Sequence, residues 1–222
     1  MRIRSYRSMR GGRGMTLVEV MVICGIVLML AVVLLPAMGR GRHGSSRMSC
    51  VSNLKQIGLA FRMWANDCNA QFPFNASVTN GGSLEWIESG QVWQHFAVMV
   101  KELNTPKVLS CPTDSERSRA INWPEFSSNA KLSYFVGFDA SETRPQSILS
   151  GDRNLAVPVD SKTRIAHLTN SSSIRWTRQL HNGIGNLGLG DGSAIQVTTD
   201  SLRKSIAAAT PESGQPIRLG IP

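Results

Sequence analysis

Residues able to do chemistry are few and widely spaced in this chain. His181 is followed nine residues later by Asp191-Gly192, and Asp114 and Asp152 are further acidic positions near Cys111 and in the run ending at Asn154. A histidine with a carboxylate could serve proton transfer or metal binding. Yet His43, His95 and His167 are scattered singly, and nothing completes a Ser/His/Asp or His/His/carboxylate set at a recognisable spacing. The expectation is therefore structural: no catalytic residues, His181 hydrogen-bonding backbone near a hairpin, and Asp191 forming its turn. The second reading is calcium, with Asp152 or Asp114 adding oxygens to Asp191. Gly183-Ile-Gly185-Asn-Leu-Gly188 formally spells G-x-G-x-x-G. A dinucleotide site needs that motif between a strand and a helix, whereas here a strand and hairpin follow.

A strong patterning signal lies at the other end. Arg2, Arg4, Arg7, Arg10 and Arg13 precede Gly14, and Met15 to Leu35 then run 21 residues with one charge, Glu19. At about 1.5 Å per residue a helix of that length reaches roughly 31 Å, the thickness of a bilayer core. The basic flank predicts a cytoplasmic N-terminus and an outward-facing remainder. A carboxylate inside such a run costs about 2.5 kcal/mol or more near a membrane centre, so Glu19 calls for a partner. Composition agrees with one modest domain behind this helix. The formal charge of +9 is inflated: removing the five leader arginines from 24 Lys+Arg leaves 19 against 15 Asp+Glu, a net +4. Nucleic-acid binding is not expected from that balance.

The Gly-Met-Thr-Leu-Val-Glu order behind a basic leader resembles the class III signal of type IV pilins and type II secretion pseudopilins. The resemblance implies cleavage after Gly14 by a prepilin peptidase that also N-methylates Met15. It implies further that Glu19 pairs with the amine of a neighbouring subunit's Met15, and that Pro36 stands where pilin helices often kink. An ordinary secretory signal cleaved after Ala37-Met38-Gly39 and a plain membrane anchor are the competing readings; a lipoprotein signal fails because Ile23, not a small residue, precedes Cys24.

Past Pro36, three glycines and two serines predict a weak joint near Gly39–Ser46. Cys50, Leu54, Ile57, Phe61 and Trp64 then resume a helical stripe. One long helix is expected from about Thr16 to Asn66, stopped by Asn69 and Pro73. The stretch CVSNLKQIGLAFRMWANDCNAQFP, the segments Leu109–Asp114 and Ile148–Asn154, and the His181 to Asp191-Gly192 spacing are similar to a large pilin-like group abundant in Planctomycetes and Verrucomicrobia, named for its processing-associated H-X9-DG motif. Gly190 and Ser193-Ala194 depart slightly from that group's pattern. In an oxidising periplasm Cys50 and Cys111, each in a group-like segment, form a candidate disulfide, with Cys68 the rival partner for either; Cys24 reads as a small apolar residue.

The fold class expected is α+β: a long N-terminal helix, membrane-spanning in its first half, packed on an antiparallel sheet. Residues 1–14 are a leader, 15–66 the transmembrane and assembly helix, and 67–222 a periplasmic head. Within the head, Gln91–Leu103 is expected as a helix. Lys107–Cys111, Leu132–Val136, Ser147–Ser150 and Ile174–Thr177 are expected as strands. A hairpin with a three-residue Gly190-Asp191-Gly192 loop should set Leu187 against Ile195, and Asp200 should cap a helix over Ser201–Ala209. The functional expectation is a structural subunit of a type II secretion or type IV pilus-type filament in the bacterial inner membrane. Its partners would be the peptidase/N-methyltransferase, other pilin-like subunits and lipid, and it would have no cofactor. The alternative is a membrane-anchored periplasmic binding protein or hydrolase, whose five tryptophans could line a groove.

Overall fold

A computed structural model of the chain describes residues 15–170, 172–211 and 214–222, with the side chains of residues 33–45 outside the description. The leader, including Gly14, lies outside the described residues. The chain divides into two compact units, one ending at Gly44 and one covering Ser45–Pro222.

Helix α1 is assigned over Leu17–Asp67, within a residue of the sequence expectation at either end. The predicted joint at Gly39–Ser46 carries no break in that assignment, and its side chains, like that of Pro36, are almost all outside the description. Asn69 and Ala70 terminate the helix with φ of 56° and 55°, left-handed values that turn the chain out of the helical path. In the first unit the described apolar side chains from Met15 to Val32 are exposed apart from the half-buried Ala31. Among the described residues no helix is long and apolar enough to cross a membrane; Val33, Leu34 and Leu35, the end of the 21-residue apolar run, are beyond the described side chains.

The second unit is α+β. Six strands, β1 (Tyr134–Gly137), β2 (Ile148–Asp152), β4 (Ile165–Leu168), β6 (Gly185–Leu189), β7 (Ala194–Val197) and β8 (Ile217–Gly220), form a sheet in the order β4-β8-β1-β2-β6-β7. Every pairing in it is antiparallel. A separate ribbon pairs β3 (Leu155–Ala156) with β5 (Arg175–Trp176). Alternation along the strands sends side chains to two cores. Tyr134, Val136 and Leu149 join one with Leu54, Ile57, Phe61 and Trp64 of α1. Phe135, Ile148 and Leu187 join the other with Leu202 and Ile206 of the helix α4 (Thr199–Ala209). The α1 side is an aromatic cluster in which Phe61 meets Phe72, Phe74 and Phe96 at centroid distances of 5.8, 6.0 and 5.8 Å.

Several local expectations change. Lys107–Cys111 is not a strand: Pro106 fixes the first turn of a 3-10 segment, Pro106–Leu109, capped by Thr105. The Gln91–Leu103 helix is broken into α2 (Gln94–Ala97) and α3 (Val100–Leu103). Thr198, not Asp200, caps α4, because its hydroxyl accepts from the Ser201 N–H while Asp200 lies inside the first turn. Strands β4 and β8 were not expected. They pair with each other over Ile165↔Gly220 to Leu168↔Ile217, so sequence-distant partners complete them.

Candidate functional site

The second half of α1 presents Cys50, Asn53, Leu54, Ile57 and Gly58 at the i, i+3, i+4, i+7, i+8 positions of one helical face, while Lys55 and Gln56 stay outside or at its edge. Cys50 is joined to Cys111 by a disulfide with Cα atoms 5.5 Å apart. One turn on, the Asn53 amide donates to the Ser110 carbonyl at 3.2 Å and to the Tyr134 hydroxyl at 3.3 Å. The helix is thus fastened covalently and by hydrogen bonds to the Leu109–Asp114 segment.

That segment in turn meets the end of β2. Asp114 receives a two-pronged contact from Arg153, Nε to Oδ2 and Nη2 to Oδ1, both at 2.8 Å, the planar pairing that makes a buried charge tolerable. Next to it Asp152 is fully buried, and its Oδ2 accepts from the backbone and side-chain N–H groups of Asn186 on β6, each at 2.8 Å. His181 completes the cluster. Its Nε2 lies 3.4 Å from Asp152 Oδ2 and 3.5 Å from Cys111 Sγ, and its Nδ1 lies 3.4 Å from Thr113 Oγ1. Burial raises the Asp152 carboxyl to about 7, against the opposing Asn186 hydrogen bonds. Burial, with the positive charge of Arg47, lowers His181 to about 4. Between those values the pair holds a single proton, and burial favours its lodging on Asp152.

The arrangement does not supply a nucleophilic relay. In a Cys/His/Asp relay the thiol and the carboxylate contact opposite ring nitrogens. Here both face Nε2, the sulfur is in a disulfide, and the His181 and Asp152 side chains are 0% exposed.

Asp191 and Gly192 belong to a different place. The β6–β7 register pairs Leu187 with Ile195, as the three-residue loop requires, and Gly192 has φ +81°. Asp191 Oδ1 accepts from the Ser193 N–H at 2.8 Å, and its carbonyl accepts from Arg62 Nη1 of α1 at 3.0 Å. A Cβ on Gly58 would meet Gly192 Cα at 2.9 Å, so helix and turn touch backbone to backbone. His181 and Asp191 therefore stand at opposite ends of the five-residue strand β6, a strand about 16 Å long. The nine-residue spacing measures a strand between two fastenings. This corrects two expectations: His181 meets side chains rather than hairpin backbone, and the calcium set of Asp191 with Asp152 or Asp114 is not brought together. Asp114 has both oxygens engaged by Arg153.

The Gly183–Gly188 segment is a turn running into β6, with Gly185 packed on the Trp176 ring and Gly188 on Ser150, so it lacks the strand-to-helix setting of a nucleotide loop. Among the described residues, the group of potential metal ligands that the fold assembles is Cys50, Cys111 and His181, whose donor atoms lie within 4.8 Å of one another. Sequence reasoning placed the two cysteines together and left His181 apart. The signal that unites them is that the Cys50–Pro73, Leu109–Asp114, Ile148–Asn154 and His181–Gly192 segments, set apart in the sequence, each supply a residue to this cluster. Of the processing residues, Met15 begins the described chain, and Glu19 is exposed with its N–H donating to Thr16 Oγ1 at 3.3 Å. Cys68 is a free, half-buried thiol and Cys24 a free, exposed one. No family model, no curated protein and no solved structure matches the chain.

Proposed function

We propose that the protein is a pilin-like structural subunit: a precursor inserted in the inner membrane, trimmed after Gly14, methylated at Met15 and assembled through its N-terminal helix. The observation that carries this reading is the contrast within α1. From Leu17 to Val32 the helix is apolar on all sides and exposed, with Glu19 its one charge, whereas the stretch after Cys50 is bolted to a folded head. An apolar helix with no polar face needs lipid or other helices around it. A carboxylate at the fifth residue of the trimmed chain would find its partner in a neighbouring subunit's amine. Of the five tryptophans on which a tethered binder could draw, Trp64 and Trp176 are core residues, and Trp86, Trp93 and Trp123 are half-buried, the last two meeting Phe126 edge to face at 6.0 and 5.9 Å.

Glu19→Ala tests the assembly step. The variant should insert at normal or higher levels, because a costly charge is gone, and should fail to crosslink into multimers in membranes where wild type does. Undiminished crosslinking at normal membrane levels would remove Glu19 from the mechanism.

A further inference from the structure

We infer that Cys50, Cys111 and His181 form a three-donor site, its fourth position left to water, for a borderline-soft divalent ion of the zinc type whenever the disulfide is open. The chain is synthesised with both thiols reduced, and the site belongs to that state. Zinc bound by thiolate at about 2.3 Å and imidazole at about 2.0–2.1 Å sets a sulfur-to-nitrogen edge near 3.5 Å. The separation found from Cys111 Sγ to His181 Nε2 is 3.5 Å, and the Asp152 carboxyl stands behind that nitrogen at 3.4 Å. The Cys111–His181 edge already has the length of a zinc tetrahedron, and the three donor atoms lie within 4.8 Å of one another. On reduction the two sulfurs separate to about 3.8 Å at the same bond lengths.

The surroundings fit as well. Thr113 faces His181 Nδ1 at 3.4 Å; a proton held there leaves the Nε2 lone pair pointing at the sulfurs and the carboxylate, the second partner that metal-bound histidines usually have. Asn186 holds Asp152 through Oδ2, while Asp152 Oδ1 is buried and has no hydrogen-bond partner among the described residues. A polar atom left unpartnered in a core is costly, and a cation on the neighbouring donors gives that carboxyl a favourable charge to face.

The chemistry balances. Binding replaces the two thiol protons, which leave to solvent, by one M²⁺ held by two thiolates. Oxidation by a disulfide-exchange partner removes two electrons and two protons from the dithiol, forms the Cys50–Cys111 bond and expels the ion. The same two residues thus fasten α1 to the Leu109–Asp114 segment in either state, by metal before oxidation and covalently after it.

The test uses the full chain in detergent with Cys24→Ser and Cys68→Ser, so that only these two thiols remain. A water-soluble phosphine opens the disulfide by giving up two electrons and becoming the phosphine oxide, with water supplying the oxygen and both protons. Cobalt(II) then serves as the spectroscopic probe, with circular dichroism recorded in parallel. The expected result is one cobalt per reduced chain, with thiolate charge-transfer and tetrahedral ligand-field bands and the folded spectrum retained. Binding should be absent from the oxidised chain, the charge-transfer bands should fall away in Cys50→Ser and in Cys111→Ser, and affinity should drop at least ten-fold in His181→Asn. Absence of saturable binding by the reduced chain would overturn the site. So would equal binding by the oxidised chain, bands indifferent to His181→Asn, or binding accompanied by loss of the folded spectrum.

Discussion

Helix α1 carries two sequences in one element. Its early part, up to Val32, exposes Leu, Val, Ile and Met on every side, whereas the part from Cys50 to Ala65 has an apolar stripe that the head covers, with Leu59 and Met63 exposed beside it. The amphipathic part is completed by its own chain, through a disulfide, the Asn53 hydrogen bonds and the Gly58–Gly192 contact. The apolar part finds no such completion among the described residues. Periodicity therefore separates the portion of a helix that serves folding from the portion that serves an environment outside the chain.

The comparison breaks first at the disulfide. Cys50→Ser opens a link across 61 residues, and loop entropy sets its loss at about 4 kcal/mol; chemical denaturation of the non-reduced head should show it. Replacing the exposed, free Cys24 in the early part should leave that midpoint where it is.

Glycine sharpens the contrast. Gly58→Ala drives a Cβ into Gly192 backbone at 2.9 Å, whereas a Cβ at Gly25 meets nothing within 4 Å. Overpacking typically costs 1–3 kcal/mol, so Gly58→Ala should lower head stability by about 2 kcal/mol in spite of the better helix propensity of alanine. Gly25→Ala should leave the head unchanged. Equal effects at the two positions would dissolve the distinction between the halves.

Acid lability should be a property of the head alone. Burial lowers His95 from 6.5 to about 4, and its Nδ1 lies 2.8 Å from Ser83 Oγ. A depressed histidine contributes stability that is present above pH 6.5 and lost as pH falls towards 4, on the order of 3 kcal/mol. His181 acts in the same sense, but the raised Asp152 acts oppositely between about 4 and 7, so that pair nearly cancels and His95 sets the slope. His95→Gln should flatten the fall in melting temperature between pH 6.5 and 4.

The smallest effect belongs to Asp191→Asn. The side chain accepts from the Ser193 N–H at 2.8 Å, and asparagine can make the same turn. A melting shift within about 0.5 kcal/mol, unaltered by a chelator of calcium, is expected; a large chelator-sensitive drop would restore calcium to Asp191.

Local signals carried much of this fold. The extent of α1, the hairpin register and the left-handed Gly192 follow from helical spacing and turn chemistry, which depend on residues a few positions apart. Strands β4 and β8 escaped because four-residue strands are defined by each other, some fifty residues distant. At the site, Cys50 and Cys111 were legible from the segments that hold them. His181 was attached to Asp191 by a spacing that the structure resolves into strand β6, with its true neighbours Cys111, Thr113 and Asp152 reached only by folding.

The proposal that the apolar half of α1 is an assembly element behind a removable leader is tested most directly by the intact mass of the mature protein isolated from membranes. The account predicts a chain beginning at Met15 with one methyl on its amine. A chain that retains Met1, or one that begins near Arg40 after removal of the apolar helix, would contradict it.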